Sequence, residues 1–199
     1  MGSVKNQGHC GSCWAFGATG AVEAAWKLAG NPSVILGEQM LVDCSVGDCD
    51  GGWVDRALDY IIDHGGCPLE SDYPYTAANG FCSMTDSMSA AQISSYAYVN
   101  AQRQGVDELA ASISLHGPHA IYVYANNAFQ RYSYGIFDDA ACNQYSYNHA
   151  VINVGYDMDQ GYWLIRNSWA SSWGESGHMR MKMGDNICNA EHYAWIPFV

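Results

Sequence analysis

The segment Gln7-Gly8-His9-Cys10-Gly11-Ser12-Cys13-Trp14-Ala15-Phe16 contains the residues best suited to covalent chemistry. Cys13 stands where a helical spacing of apolar residues begins, so its sulfur is predicted to face unpaired backbone amides and the positive end of a helix dipole. That position lowers the pKa of a thiol and favours the thiolate, the nucleophilic form of cysteine. The Cys13 amide and the Gln7 side chain can supply two donors to an oxyanion, so the segment predicts acyl transfer.

The same segment allows a different chemistry, since Cys10 and Cys13 form a Cys-x-x-Cys pair. Such pairs occur as redox dithiols or as half of a metal site. A thioredoxin-like pair follows a strand, and only Val4–Gln7 precede Gly8 here. A zinc site needs a second closely spaced pair, which Cys44 and Cys49 match poorly. We therefore favour nucleophilic catalysis.

Two classes of element must position these residues. Helical periodicity and helix-end signals predict helices over residues 13–28, 38–42, 54–62 and 107–115. Proline, glycine and serine make residues 67–95 a predicted loop. Short segments rich in β-branched and aromatic residues predict strands over residues 120–124, 150–156, 162–166, 179–183 and 194–198. This division favours an α+β protein of two lobes, 1–98 and 99–199, with a boundary near residues 97–105.

Charge and cysteine content limit the possible partners and compartments. The chain of 199 residues has a formal net charge of −12 with eight Lys and Arg, which argues against nucleic acid or an anionic membrane as a partner. Eight cysteines favour an oxidising compartment with several disulfide bonds, although the sequence leaves their pairing open. Met1-Gly2-Ser3 does not resemble a signal peptide, so we expect any targeting and pro-segments to be removed or absent from this sequence.

The Cys13 segment resembles the active-site segment of the papain and cathepsin family, in its cathepsin L-like form, almost letter for letter. That family has a His and an Asn about 130–150 residues downstream of the cysteine. This sequence has Asn148-His149-Ala150-Val151 and, slightly farther on, Arg166-Asn167-Ser168-Trp169. Further similar segments run to the C-terminus; they are Gly51-Gly52, Asp72-Tyr73-Pro74-Tyr75 and Ser172-Trp173-Gly174-Glu175.

The resemblance implies a papain-like two-lobed fold, with a helical N-terminal lobe, an antiparallel β-barrel-like C-terminal lobe and an active-site cleft between them. It implies a cysteine endopeptidase in which Cys13 attacks the scissile carbonyl through a thioester intermediate. His149 would be the acid and base, Asn167 would orient it, and Gln7 would hold the oxyanion. Trp169 would shield the His149–Asn167 bond from water. The other histidines are expected in loops or at the surface; they are His9, His64, His116, His119, His178 and His192.

The resemblance also implies three disulfide bonds, namely Cys10–Cys49, Cys44–Cys82 and Cys142–Cys188. Cys13 then remains a free thiol, and Cys67 is left over. For Cys67 we favour a buried free thiol, with pairing to another chain or a small thiol as the alternative.

A substrate-binding region follows from the same resemblance. Gly51 and Gly52 would offer backbone to an extended substrate where a Cβ would obstruct its approach, and Asn148 would be a further substrate-binding residue. The pocket for the second residue before the cleaved bond (P2) would be lined by Trp53, Tyr122, Ala150 and Tyr193. Two tyrosines should narrow this pocket, so we predict small or β-branched apolar P2 residues.

The alternative function is a non-catalytic papain-like protein that binds or supports other molecules. Loss of the nucleophile, base or oxyanion donor would mark it, and all three are present. No metal or organic cofactor is implied. The resemblance makes peptide or protein substrates, an inhibitory pro-segment and cystatin-like inhibitors the expected partners. It also implies a zymogen, a monomer, and a lysosomal, vacuolar or secreted location.

Overall fold

The computed structural model describes residues 2–144 and 146–199, and the side chains of all of these except Gln102 and Gln144. Its contacts divide the chain into two units. Unit 1 comprises the residues up to Ser3, Gln7–Ala97 and Pro197–Val199, and unit 2 comprises Val4–Asn6 and Tyr98–Ile196. The two terminal segments therefore lie outside the predicted lobe ranges. The reason is backbone pairing: Ala170 N–H donates to the Lys5 carbonyl within unit 2, and Ser94 N–H donates to the Phe198 carbonyl within unit 1.

Unit 1 contains three helices, and α1, the longest of them, is buried along most of its length, as the apolar spacing predicts. Trp14, Phe16 and Val22 of α1 are buried, and α3 packs against this helix with Ala57, Leu58 and Ile61. Two short strands form in the segment predicted to be a loop. The elements are α1 Cys13–Leu28, α2 Gln39–Cys44, α3 Val54–Asp63, β1 Cys67–Pro68, a 3-10 turn Asp86–Met88 and β2 Ser89–Ala91.

Unit 2 contains most of a seven-stranded sheet and three helices. The predicted helix and the five predicted strands are confirmed to within a residue or two at their ends, whereas the short elements were not predicted. The strands are β3 Ser95–Val99, β4 His119–Val123, β5 Ile136–Phe137, β6 His149–Asp157, β7 Tyr162–Arg166, β8 His178–Lys182 and β9 Ala194–Phe198. The helices are α4 Ala101–Gln104, α5 Val106–His116 and α6 Asn127–Gln130. The chain passes between the units within β3 and again within β9.

The strand order is β3-β9-β4-β6-β7-β8-β5, so the prediction of a barrel-like C-terminal lobe is wrong. Among the described residues the sheet stays open, with β3 and β5 at its two ends. Most neighbours are antiparallel, as predicted, but β5 pairs with β8 in parallel. The α+β class itself is correct.

The surface placement predicted for all six remaining histidines is wrong for His119. His119 is the first residue of β4, which lies between β9 and β6, and its side chain is fully buried. Its Nε2 is 2.8 Å from Ser112 Oγ on α5, so a polar partner in the helix allows the ring to enter the core. His178 lies on β8 and is half-buried rather than in a loop.

Among the described residues, no helix combines the length and the apolar character that crossing a membrane would require.

Candidate active site

In unit 1 the candidate nucleophile is the first residue of a long helix. Cys13 begins the 16-residue helix α1, and it is a half-buried free thiol. The Ser12 carbonyl accepts from the amide of Ala15 at 2.8 Å, which starts the first turn directly at this position. The positive end of a helix dipole stabilises negative charge over its first turn. The local fold therefore places the sulfur where a thiolate is favoured.

Gln7, the candidate oxyanion donor, is held at both its side chain and its backbone. Its side-chain Nε2 donates to the Cys10 carbonyl at 2.9 Å, which identifies the nitrogen end of the carboxamide. Its own carbonyl accepts from the Tyr75 hydroxyl at 2.8 Å. Burial raises the pKa of Tyr75, and a hydrogen bond with Ser12 opposes that rise. Tyr75 therefore stays protonated and remains a donor that fixes the Gln7 backbone.

The disulfide bonds of the structure are the three that the resemblance implies, and Cys67 is a buried free thiol. Cys10 is thus bonded to Cys49, so the structure contains no Cys10–Cys13 dithiol among its described residues. The Gly11 amide also donates to the Cys49 carbonyl at 2.7 Å. Together these bonds join the Cys13 segment to the loop that carries Gly51 and Gly52.

Gly51 and Gly52 are glycines for a reason that sequence analysis missed. A Cβ on Gly52 would lie 2.4 Å from the ring of Trp14, which is buried next to Cys13. Gly51 has a φ of +137°, a conformation that side chains rarely adopt. Core packing and backbone conformation therefore already require both glycines. Trp53, which follows them, is 59% exposed and directly precedes α3.

In unit 2 the sheet brings His149 and Asn167 together. His149 is the first residue of β6, and Asn167 directly follows β7. The two strands are antiparallel neighbours, with Ile152 opposite Arg166, so the start of one lies at the end of the other. His149 Nε2 is 2.7 Å from Asn167 Oδ1, and both residues are buried.

The hydrogen bonds around Asn167 determine the tautomer of His149. The Ser168 amide donates to Asn167 Oδ1 at 2.8 Å, so this atom must be the carboxamide oxygen. An oxygen acceptor requires a proton on His149 Nε2. In a neutral imidazole, Nδ1 is then the atom that can accept a proton.

Aromatic rings enclose this imidazole. The Trp169 ring stacks on His149 with centroids 4.6 Å apart, and the Phe129 ring meets His149 edge-on at 6.2 Å. Trp173 in turn packs on Phe129. Burial lowers the pKa of His149 to about 4, and the hydrogen bond to Asn167 opposes this shift. The isolated imidazole is therefore kept neutral, and it needs a nearby negative charge to become an imidazolium.

Three residues predicted for the P2 pocket lie in unit 2. Tyr122 and Ala150 are directly opposite each other on β4 and β6, so they share a face of the sheet. Tyr193 lies just before β9 and is half-buried. Sequence analysis missed Tyr147, whose ring lies 5.7 Å from Tyr122 and 5.6 Å from Tyr193. The sequence signal that could have identified Tyr147 is its position two residues before His149. Phe129 had no such signal.

The predicted residues thus form two groups, each ordered within its own unit. Cys13 and Gln7 belong to unit 1 with Gly51, Gly52 and Trp53. The unit 2 group comprises His149, Asn167, Trp169, Tyr122, Asn148, Ala150 and Tyr193.

Comparison with known proteins agrees with this fold. The sequence profile described as papain family cysteine protease matches residues 1–198. The chain therefore belongs to the papain family of cysteine proteases.

Individual relatives include plant and insect proteins. Pro-cathepsin H of Medicago truncatula is 38% identical to this chain. The matched region covers the whole of this chain and 59% of the pro-cathepsin. Digestive procathepsin L2 of Tenebrio molitor larval midgut superposes with a TM-score of 0.92 at 36% identity, over the whole chain and 65% of the solved chain. Bromelain of Ananas comosus, solved with the E64 inhibitor, superposes with a TM-score of 0.89 at 35% identity, over the whole chain and 94% of the solved chain. The chain spans between half and two thirds of the length of the curated relatives it matches.

Proposed function

We propose that this protein is a cysteine endopeptidase that hydrolyses peptide bonds with Cys13 as nucleophile and His149 as acid and base. The observation that carries the proposal is the His149–Asn167 hydrogen bond with its defined tautomer. Because Nε2 is held by Asn167, Nδ1 is the atom that exchanges protons with the thiol and the substrate. Membership of the papain family supports the pairing of His149 with Cys13.

The proposed reaction begins with proton transfer from Cys13 Sγ to His149 Nδ1. The thiolate then attacks the scissile carbonyl carbon, and the negative charge moves to the carbonyl oxygen. The Cys13 amide and Gln7 Nε2 donate to this oxyanion. The intermediate collapses, the carbon–nitrogen bond breaks, and His149 Nδ1 gives its proton to the leaving amine, so a thioester remains on Cys13.

Water completes the cycle. His149 Nδ1 takes a proton from the water that attacks the thioester carbon. The second intermediate expels the Cys13 thiolate and releases the carboxylic acid. The thiolate–imidazolium pair is restored. In this state the thiolate supplies the negative charge that the buried imidazole needs, since burial lowers the pKa of His149 to about 4 even with the opposing hydrogen bond to Asn167.

The same proposal extends to substrate and partners. Gly51, Gly52, Trp53, Tyr122, Asn148, Ala150 and Tyr193 bind the peptide, and small or β-branched apolar residues are preferred at P2. The Tyr147 ring beside Tyr122 and Tyr193 supports a narrow pocket. The relatives include a pro-cathepsin and a procathepsin. They support an inhibitory pro-segment as a partner and a lysosomal, vacuolar or secreted location.

An intact-mass assay with an epoxysuccinyl thiol-protease inactivator at mildly acidic pH tests the proposal. Ordinary thiols have a pKa of about 8.5 and react slowly under these conditions. We expect one rapid adduct on the parent protein and none on the Cys13→Ala control. If the folded parent forms no adduct, Cys13 is not an activated thiolate, and the non-catalytic alternative replaces the proposal.

A further inference from the structure

Tyr75 is a half-buried tyrosine of unit 1 that takes no part in the steps proposed above. It lies outside the helices and strands, within the segment 67–95 that the sequence predicts to be a loop. Its hydroxyl forms hydrogen bonds with Gln7 and with Ser12, which stand at either side of Cys10 in the chain. One phenol therefore contacts both the candidate oxyanion donor and the residue that directly precedes the nucleophile.

The two hydrogen bonds of the Tyr75 hydroxyl have a defined direction. A phenol has a single hydrogen, and the Gln7 carbonyl, 2.8 Å away, can only accept it. The Ser12 hydroxyl must then donate to the Tyr75 oxygen. The three groups form a chain that runs from Ser12 through Tyr75 to Gln7, and in such a chain each bond polarises the next.

Ser12 serves this chain instead of capping helix α1. It directly precedes the helix and is fully buried, and at that position a serine hydroxyl usually accepts from a backbone amide of the first turn. The Ser12 side chain forms no such bond, and its contact with the Cys10 carbonyl is long, at 3.5 Å. The orientation of this hydroxyl is therefore explained by Tyr75 and not by the end of the helix.

Tyr75 is itself held by contacts that do not involve its hydroxyl. Glu70 Oε1 accepts from the Tyr75 amide at 3.0 Å, and the Phe16 ring of α1 meets the Tyr75 ring edge-on with centroids 4.9 Å apart. Gln39 Oε1 of α2 accepts from the next amide along the chain, that of Thr76, at 2.9 Å. The hydroxyl is thus presented by a segment that is attached to two helices.

The bond to Tyr75 completes the restraint of Gln7. Gln7 Nε2 donates to the Cys10 carbonyl at 2.9 Å, and a carboxamide nitrogen has a second hydrogen that can serve an oxyanion. The Tyr75 hydroxyl holds the other end of the residue, its backbone carbonyl. A donor that is fixed before the charge develops stabilises it without reorganisation, and a small displacement of such a donor slows the reaction.

We propose that Tyr75 is a positioning residue that holds Gln7 Nε2 where the oxyanion forms. The proposal rests on the proposed protease function, and it assigns Tyr75 no part in making or breaking bonds. Loss of the Tyr75 hydroxyl should impair the steps in which a carbonyl oxygen gains negative charge. It should leave the reactivity of the Cys13 thiolate unchanged.

The first test is Tyr75→Phe, which keeps the ring and its contact with Phe16 and should therefore fold. We expect kcat/KM for a peptide substrate to fall about tenfold, mainly through kcat, because deletion of an oxyanion donor itself costs about a hundredfold or more. A parent-like kcat/KM in the folded variant would overturn the proposal.

Two thiol reagents separate positioning of the donor from a general loss of structure. A peptide aldehyde should bind Tyr75→Phe about tenfold more weakly, because addition of Cys13 Sγ to its carbonyl carbon places negative charge on the oxygen. Iodoacetamide should alkylate Cys13 at the parent rate, because the thiolate displaces iodide and no oxyanion forms. An unchanged aldehyde affinity, or an equal loss in both reactions, would overturn the proposal.

A double variant tests whether Tyr75 acts through Gln7. Adding Tyr75→Phe to Gln7→Ala should cause no further loss of kcat/KM, because both changes remove the same interaction. Losses that multiply would contradict the assignment. Ser12→Ala should lower kcat/KM by less than about twofold, because one hydrogen bond strengthens its neighbour only modestly. A loss as large as that of Tyr75→Phe would mean that the hydroxyl acts through Ser12 instead.

The matched control is Tyr96→Phe. Tyr96 is also half-buried in unit 1, and its hydroxyl donates to Asp59 at 2.9 Å. This variant should keep the parent kcat/KM and aldehyde affinity, and an equal loss here would overturn the specific role of Tyr75. If the parent cleaves the peptide and Tyr75→Phe matches it, only the positioning proposal fails. If the folded parent cleaves no peptide, the protease function fails and the positioning proposal fails with it.

Discussion

At the scale of single residues, two opposing effects act on the charge of the His149 side chain. Catalysis as proposed needs an imidazolium, whereas burial under Trp169 and Phe129 favours the neutral ring. Asn167 offsets part of this cost because its oxygen accepts the Nε2 proton in both charge states. The remaining stabilisation must come from a negative charge, and the proposed source is the Cys13 thiolate. The charge of His149 should therefore depend on Cys13.

This dependence gives a prediction for the Cys13→Ala variant. Without the thiolate, burial keeps the pKa of His149 at about 4, so the ring should be neutral at pH 5 and above. In the parent protein the thiolate should raise the pKa of His149 above its ordinary value of about 6.5. NMR titration of the labelled imidazole carbons measures both values. The same pKa in both proteins would show that Cys13 and His149 do not form an ion pair.

Residue-scale sequence analysis also missed two aromatic rings beside the predicted residues. The Tyr147 ring contacts Tyr122 and the Phe129 ring contacts His149, and both contacts arise from the tertiary fold. Phe129 precedes His149 by twenty positions, and no local pattern links the two. Contacts of this kind depend on how strands align rather than on the identity of neighbouring residues in the chain.

At the scale of elements, α5 and β4 are joined by a buried histidine. His119 Nε2 lies 2.8 Å from Ser112 Oγ, and His119 Nδ1 has no hydrogen-bond partner among the described residues. Burial, with a smaller contribution from the charge of His116, lowers the pKa of His119 to about 4, although the backbone of Pro118 and Gly117 opposes this shift. Protonation of this ring is therefore unfavourable in the folded chain, whereas in the unfolded chain the same ring binds a proton freely.

The free energy of unfolding should consequently decrease as the pH falls from about 6.5 to about 4. In this window the unfolded chain binds a proton at His119 and the folded chain does not, so acid favours the unfolded state. At about 1.4 kcal/mol per pKa unit, the lowered pKa of His119 decreases the free energy of unfolding by up to about 3 kcal/mol across this window. His119→Gln should reduce the difference in unfolding free energy between pH 7 and pH 4.5, measured by urea denaturation.

The matched control for this prediction is His9→Gln, since His9 is exposed. This variant should retain the pH dependence of the parent. An unchanged dependence in His119→Gln would mean that the loss of stability in acid originates elsewhere.

At the scale of the whole molecule, every disulfide bond lies within one unit. Cys10–Cys49 and Cys44–Cys82 belong to unit 1, and Cys142–Cys188 belongs to unit 2. The unit 2 bond joins the 3-10 turns Ala140–Gln144 and Ile187–Asn189 across 46 positions of the chain. Each bond therefore restricts the unfolded chain of one unit only.

The double variant Cys142→Ala, Cys188→Ala should lower the unfolding free energy by about 2–4 kcal/mol, because closing a loop of this size restricts the unfolded state. Hydrogen exchange measured by mass spectrometry should show the largest loss of protection in β6, β7 and β8. The matched variant Cys44→Ala, Cys82→Ala removes a bond of similar span, 38 positions, and should expose α2 and α3 instead. The same exchange pattern in both variants would contradict this assignment.

The sequence by itself determined the helix that begins at Cys13 and the α+β class, and it predicted a cysteine nucleophile at that position. These features depend on local periodicity and on residue type, which a single chain displays directly. The family resemblance added His149, Asn167 and the pairing of the cysteines.

Only the tertiary structure decided the tautomer of His149, the burial of His119 and the open sheet. Each of these depends on strand register and on contacts between residues far apart in the chain. Gly52 shows the difference at one position. Its sequence context predicted close approach by a substrate, whereas the structure shows that the Trp14 ring leaves no space for a Cβ.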